Sequence, residues 1–354
     1  MRFFKKLILS GAVFVMATNT VFAQSSIKWR IAESWPKGFP LFGDVVRNMA
    51  ERVDLLSGGE FKIQIVSKGE HKRSLEVFDM VQSGEFEMGH SVSQWWIKKD
   101  PNTAFFTSVP MGMIAPEKHA WFYHGGGMKL MQKVYSKYGL LSYPGGNTGT
   151  EMGGWFSKEI KKIEDLEGMK LRIPGWGGEV YDAVGAKVTL LPPGELYPAL
   201  KSGKLDGLEF IGPALDYGMK FHEVAEFYYT GWHSPGTELQ FLVNQKKFAK
   251  LPKKYQEILK LAMKVSAYDM YPQTYHQSSV NLDKILKDHP NVKIRAFPRE
   301  IFREFDRIMN EKLDERAKNG DDLTKEIVQS MREYKRISRQ WTRISDQAFI
   351  NNSF

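Results

Sequence analysis

The sequence predicts an α/β protein of two lobes, with a cleft between them and a long helical region toward the C-terminus. Three observations carry this prediction. A strand–helix alternation occurs twice, in separate stretches of the chain. The 354 residues exceed what a single core of ordinary size holds. An apolar repeat of helical period runs from Leu323 to Ala348.

The first alternation begins with a strand at Ile27–Ala32 and a turn at Trp35–Pro36. Phe42, Val45, Met49 and Val53 recur at three- and four-residue spacing, which marks a helix that Ser57–Gly58–Gly59 ends. Phe61, Ile63 and Ile65 then alternate as a half-buried strand does, and a helix through Leu75, Phe78 and Val81 stops at Gly84. In the second alternation, Asp165–Gly168 leads into a strand at Met169–Ile173. A helix near Glu179–Val184 follows, then a strand at Lys187–Leu190, a short helix at Tyr197–Ser202 and a strand at Leu208–Ile211. Strands and helices in this order form parallel sheets, whose ligands gather at the carboxyl ends of the strands. A cleft between two such units is the expected pocket.

The expected division is a targeting segment at 1–23, a first lobe at 24–145, a second at 146–234, and a return segment at 235–354. The return segment completes the lobes and adds long helices. Within it, Tyr255, Ile258, Leu259, Ala262 and Val265 mark one helix, and Val292–Phe297 reads as a strand. The seam of Ile327, Met331, Tyr334, Ile337, Trp341 and Ile344 is expected to brace the lobes, with a homodimer formed through it as the alternative.

Arg2, Lys5 and Lys6 precede an apolar run at Leu7–Met16, and Val21, Phe22 and Ala23 offer a cleavage site. This three-part pattern predicts an export signal cut after Ala23, and hence a periplasmic protein. The run is too short to cross a bilayer as a stable helix.

Cysteine is absent, which excludes disulfides, thiolate metal sites and cysteine nucleophiles. The net charge of +9 is spread along the chain with no basic stripe, so no nucleic-acid partner is expected. Gly125–Gly127 lacks the lysine and hydroxyl of a phosphate loop and reads as a turn. His71, His90, His222 and His233 show no metal-ligand spacing and are expected to be structural, although His90 could border the cleft.

Arg172 ends the Met169–Ile173 strand, where a guanidinium could grip a carboxylate with two parallel hydrogen bonds. From the strand alone, a surface arginine capping the strand is an equal reading.

Several segments together resemble a known family. They are Trp35–Pro36, Glu76–Asp79, Phe105–Thr107, Trp121–Gly127, Gly146–Gly149, Gly153–Phe156, Asp165–Ile173, Gly194–Leu200 and Glu209–Pro213. In this order they resemble the extracytoplasmic solute receptors of TRAP (tripartite ATP-independent periplasmic) transporters, in the branch that binds 2-oxo acids and lactate through a metal ion. The resemblance implies the two-lobed periplasmic binding protein fold, membrane subunits as partners, a small organic acid as ligand and no catalysis.

Carried over residue by residue, the resemblance places Arg172 on the ligand carboxylate. Glu151, Glu209 and the main-chain carbonyl of Phe210 fall on the ion, with Gln240 as a further oxygen ligand. Trp96 and Trp232 fall on the pocket wall. Separately, Trp176 sits beside Gly175 and Gly177–Gly178 just after Arg172 and reads as part of a lid. The sequence departs from the pyruvate-type pattern in having Glu151 and Phe210 where glutamine and tryptophan are familiar. Two carboxylates at one site repel unless a cation lies between them. With a ligand acid added, three negative charges face Arg172, so calcium is expected, with sodium as the alternative. Paired carboxylates can also serve glycoside hydrolysis, but no hydrolase pattern accompanies these. A ligand-sensing receptor, or a receptor for a sugar acid or dicarboxylate, are the other readings the residues allow.

Overall fold

The computed structural model describes residues 26–353, so the targeting segment expected at 1–23 lies outside the described residues. Four strands open the chain: β1 (Ile27–Glu33), β2 (Phe61–Val66), β3 (Met88–Ser91) and β4 (Leu140–Asn147). Five follow: β5 (Gly154–Phe156), β6 (Lys170–Arg172), β7 (Lys187–Thr189), β8 (Gly207–Leu208) and β9 (Phe227–Tyr229). β10 (Glu238–Asn244) and β11 (Lys293–Arg295) complete the series among the described residues.

The strands make two sheets, ordered β2-β1-β3-β10-β4 and β11-β9-β5-β8-β6-β7. β2 and β3 run parallel to β1, and β7 and β8 run parallel to β6, as helical crossovers require. β10 is antiparallel to both β3 and β4, and β5 is antiparallel to both β8 and β9. The first sheet therefore uses residues 27–147 and recovers 238–244. The second uses 154–229 and recovers 293–295.

The chain passes between the sheets at 148–153 and again at 230–237. A third connection is the 36-residue helix Lys253–Asp288. Its first half buries Tyr255, Leu259, Ala262, Met263 and Met270 against β4 and the Phe42–Ser57 helix. Farther along, Asn281 donates to the carbonyl of Pro213 (2.9 Å) and Ile285 joins the core behind the second sheet. This helix spans both halves.

The helix that carries the apolar seam, Asp322–Ile344, starts where the Asp321 side chain accepts from the Thr324 amide (2.8 Å). It buries Ile327, Val328 and Met331 near the helices Ala115–Tyr123 and Gly127–Ser136. Beyond that point Ile337, Trp341 and Ile344 are exposed. Only half of the expected seam is covered.

The largest apolar cluster is continuous across both sheets, from Val77, Phe78 and Leu242 to Phe156, Leu171, Tyr229 and Phe305. Two smaller clusters back the outer faces. The site lies where the crossovers and the strand ends meet.

Candidate functional site

Arg172 is the last residue of β6, and Glu209 follows directly after β8. The Glu209 amide donates to the Arg172 carbonyl (2.9 Å), carrying the ladder one residue past the strand. Glu151 sits on the first crossover and His233 on the second. The crossovers are tied by Glu151 N–H to the Ser234 carbonyl (2.9 Å) and Thr148 N–H to the Thr237 carbonyl (3.0 Å). The Thr237 amide returns a bond to Thr148 Oγ1 (3.2 Å). At Gly231 the two segments are so close that a Cβ there would stand 1.7 Å from the Glu151 carbonyl oxygen.

This convergence buries three ionisable side chains together. Glu151, Glu209 and His233 each offer one ligand atom, and those atoms lie within 4.8 Å of one another. His233 Nε2 is 3.2 Å from Glu209 Oε1 and 3.7 Å from Glu151 Oε2. Thr148 Oγ1 donates to Glu151 Oε1 (2.8 Å), which fixes that carboxylate on its own crossover. Arg172 Nη1 donates to the Glu209 carbonyl (2.6 Å) and stands 3.9 Å from Glu209 Oε2, while Nε donates to the Leu191 carbonyl (3.3 Å).

Burial pushes the Glu209 carboxyl above its usual range, although His233 and Arg172 oppose this. Burial alone would lower His233, but Glu209 and Glu151 outweigh it and raise the imidazole to about 9. A site that holds protons this tightly is short of positive charge. The fit to a cation rests on that, and on two further facts. Among the described residues His233 Nδ1 has no hydrogen-bond partner, and the Phe210 carbonyl accepts no hydrogen bond.

Sequence reasoning missed two residues here. His233 had no spacing to Glu151 or Glu209 that could announce it. Lys118, near the start of the Ala115–Tyr123 helix, is buried and donates to the carbonyls of Thr107 and Gly236 (the latter 3.0 Å). Burial lowers its ammonium to about 8 against the pull of Glu238 and Glu151.

The other expected residues stand in different surroundings. Trp232 precedes His233 and packs edge-on to Tyr181 and close to Phe305 (4.2 Å between ring centres). Gln240, on β10, accepts from Ser142 Oγ (3.0 Å), and its buried amide nitrogen has no partner among the described residues. Trp96 is fully buried among Phe78 and Tyr135, whereas Trp95 is partly exposed and packs tilted against Trp35. Trp176 is buried between Phe105 and the Arg316 guanidinium. Phe210 is half-buried, between the core of the first sheet and that of the second. His90 is buried in the first sheet, with Trp35 Nε1 donating to its Nδ1 (2.8 Å) and its Nε2 facing the Gly145 carbonyl (2.8 Å).

Residues 31–319 match the family described as bacterial extracellular solute-binding protein, family 7. A curated relative, a monocarboxylate 2-oxoacid-binding periplasmic protein of Nostoc sp., is 37% identical over 338 residues, 94% of this chain and 92% of that one. Among solved structures, a TRAP periplasmic solute-binding protein of Colwellia psychrerythraea with bound calcium and pyruvate superposes with a TM-score of 0.90. It is 53% identical and the match covers 92% of this chain and 99% of that one. Another, from Pseudoalteromonas atlantica with bound sodium and pyruvate, gives 0.88 at 50% identity over the same shares of each chain.

Proposed function

We propose a specific cargo for this chain, which belongs to the bacterial extracellular solute-binding proteins, family 7, and is a solute receptor of the TRAP type. The cargo is a 2-oxo or 2-hydroxy monocarboxylate such as pyruvate or lactate, passed on to the membrane subunits of the transporter. The observation that carries this is the buried meeting of Glu151, Glu209 and His233 beside Arg172. Arg172 takes the acid's carboxylate. The acid's carboxylate and its neighbouring keto or hydroxyl oxygen chelate an ion held by Glu151, Glu209 and the Phe210 carbonyl. Calcium is our assignment and sodium the alternative, because a divalent ion balances two carboxylates and an acid against one arginine. The relatives with bound calcium and with bound sodium, each alongside pyruvate, support this choice of ions.

Binding and release are the whole of the role, with no catalytic step. The lobes close on the ligand as a shifted equilibrium, with the 148–153 and 230–237 segments as hinges. We further propose that export removes residues 1–23, which mass determination of the mature N-terminus tests. The exposed Ile337, Trp341 and Ile344, with Phe349 and Ile350 beyond them, suit a homodimer, and light scattering with Trp341→Glu tests that.

The main experiment is calorimetric titration of refolded, ligand-free protein with pyruvate, 2-oxobutyrate and lactate. Each acid is tried with calcium, with sodium only and with chelator. Binding that requires the ion supports the whole reading. Tight binding after exhaustive chelation removes the ion from it, and no binding of any of the acids removes the ligand class.

A further inference from the structure

We infer that Lys118 is a positioning residue for the proposed ion site: it holds the 230–237 crossover in place and, through Thr148, keeps the Glu151 carboxylate turned to the ion. The inference rests on the proposed ion site and adds to it a residue outside the ion's own ligands.

The first support is where the ammonium is engaged. Lys118 is buried, and its Nζ donates to the carbonyls of Thr107 and Gly236 (3.0 Å for the latter). Gly236 lies on the second crossover, and the next residue, Thr237, exchanges two hydrogen bonds with Thr148 on the first. Thr148 Oγ1 in turn donates to Glu151 Oε1 (2.8 Å). An unbroken chain of contacts therefore leads from the lysine to one of the proposed ion ligands. Hydrogen bonds given by a charged group are stronger than neutral ones, so the chain starts from a firm anchor.

The second support is the opposite charge placed beside it. Glu238, fully buried at the start of β10, accepts from Asn147 Nδ2 (2.8 Å) and from the Gly146 amide (3.3 Å). Asn147 Oδ1 accepts from the Gly149 amide (2.9 Å), so Glu238 secures the root of the first crossover as Lys118 secures the second. The Glu238 amide also donates to the Thr107 carbonyl (3.0 Å), the same oxygen that Lys118 holds. His119 Nε2 lies 3.3 Å from Glu238 Oε2 on the other side. Both crossovers are thus rooted in one buried pair of opposite charge.

Charge and position predict opposite effects here. Glu238 and Glu151 both draw on the charge of Lys118. By charge alone, removing a positive group near Glu151 raises the affinity of the site for a cation. Releasing the crossover lowers it, because Glu151 loses its fixed place. Groups that orient metal ligands typically cost about 10- to 100-fold in affinity when they are removed.

The test titrates calcium into the metal-free mature protein, into Lys118→Met and into the double variant Lys118→Met/Glu238→Gln, with urea unfolding of each. Methionine keeps a long apolar stem and removes the donor. Glutamine keeps an oxygen for Asn147 and removes the charge that the missing lysine leaves unpaired. Lys118→Met is expected to bind calcium at least about tenfold more weakly than wild type. The double variant is expected to regain much of the lost urea midpoint while its calcium affinity stays at least about tenfold low. Where the single variant does not fold, the double variant carries the test alone. A loss smaller than about tenfold in either variant, or a gain, overturns the positioning role and leaves Lys118 only its charge. A wild type that binds no calcium overturns the ion site instead. Hydrogen exchange of the metal-free proteins then decides for Lys118: the Thr148, Glu151 and Thr237 amides should exchange faster in both variants, and unchanged exchange overturns its hold on the crossovers.

Discussion

Arg172 is fastened to Glu209 rather than to solvent: its Nη1 donates to the Glu209 carbonyl at 2.6 Å and stands 3.9 Å from that residue's carboxylate. The Nε is occupied by the Leu191 carbonyl, so among the described residues Nη2 is the part of the fork with no partner. The arginine is thus held by the backbone of the loop that carries Glu209, so the proposed acid-binding and ion-binding groups are tied together.

It follows that Arg172→Gln should lower pyruvate affinity by about 100-fold, the loss of charge-assisted hydrogen bonds in a buried setting. Calcium binding measured without the acid should not weaken, since removing a neighbouring positive charge does not cost a cation affinity. Calorimetry of both titrations checks this. Pyruvate affinity within about threefold of wild type, a difference of well under 1 kcal/mol, would remove Arg172 from the acid-binding role.

Arg172 was legible in the sequence because it ends an evident strand, and strand ends of parallel sheets face the ligand. Glu151 and Glu209 were legible only through the resemblance, because nothing in their own surroundings pairs them. His233 was not legible at all. Its distance to Glu151 is set by two crossovers lying side by side, and such a tertiary arrangement leaves no periodic trace in either segment. The bridging helix Lys253–Asp288 was underestimated for a different reason. Leu261 and Val265 are exposed while Met263, Met270 and Ile285 are buried, because the helix packs on the first sheet at one end and on the second at the other. A single apolar stripe does not describe a helix whose buried face drifts, and Pro272 within it reads as a stop.

His90 supplies a prediction about acid stability. Its Nδ1 must accept from Trp35 and its Nε2 donate to Gly145, so the folded protein holds a neutral ring of one tautomer. Burial lowers the imidazole to about 4, and the Gly145 carbonyl opposes this only weakly. Between about 4 and the ordinary value of 6.5 the unfolded chain binds a proton that the folded chain does not. Stability from this residue is therefore full above pH 6.5 and falls away as the pH drops toward 4, by an amount on the order of 3 kcal/mol. Urea unfolding from pH 7 to pH 4 should show this fall, and His90→Gln should be less stable at pH 7 but flatter across the range. Parallel pH profiles for the two proteins would contradict the account.

Gly231 is required by contact rather than by backbone angle. A Cβ at this position would overlap the Glu151 carbonyl, and that atom belongs to a crossover already bonded to Ser234. Gly231→Ala should force the crossovers apart at a cost of about 1–3 kcal/mol, the usual range for overpacking. Because Glu151 and His233 ride on those segments, ion affinity should fall with it, whereas Gly203→Ala, in open space behind the second sheet, should leave ion binding unchanged despite some backbone strain. Equal ion affinity in both variants would separate crossover spacing from the site.

Asp216 holds the loop that presents Glu209 and Phe210. Its carboxylate accepts from the amides of Ile211 (3.2 Å) and Gly212 (3.0 Å), from Trp155 Nε1 (3.0 Å) and from the Tyr228 hydroxyl (2.9 Å). Burial pushes its carboxyl up to about 7 against these four donors. An asparagine has one oxygen where the carboxylate has two, and it turns an N–H toward groups that themselves donate. Asp216→Asn should cost about 2–4 kcal/mol in urea unfolding, because buried donors lose their acceptor. A stability loss alone would not distinguish a loop anchor from any core residue, so the comparison is with Leu196→Ala, which opens a cavity in the same cluster as Trp155 and Tyr228 and costs about as much. If Asp216 positions the ion ligands, calcium affinity falls by about tenfold or more in Asp216→Asn and stays near wild type in Leu196→Ala. If the two variants bind calcium alike, Asp216 stabilises the second sheet without setting the geometry of the site.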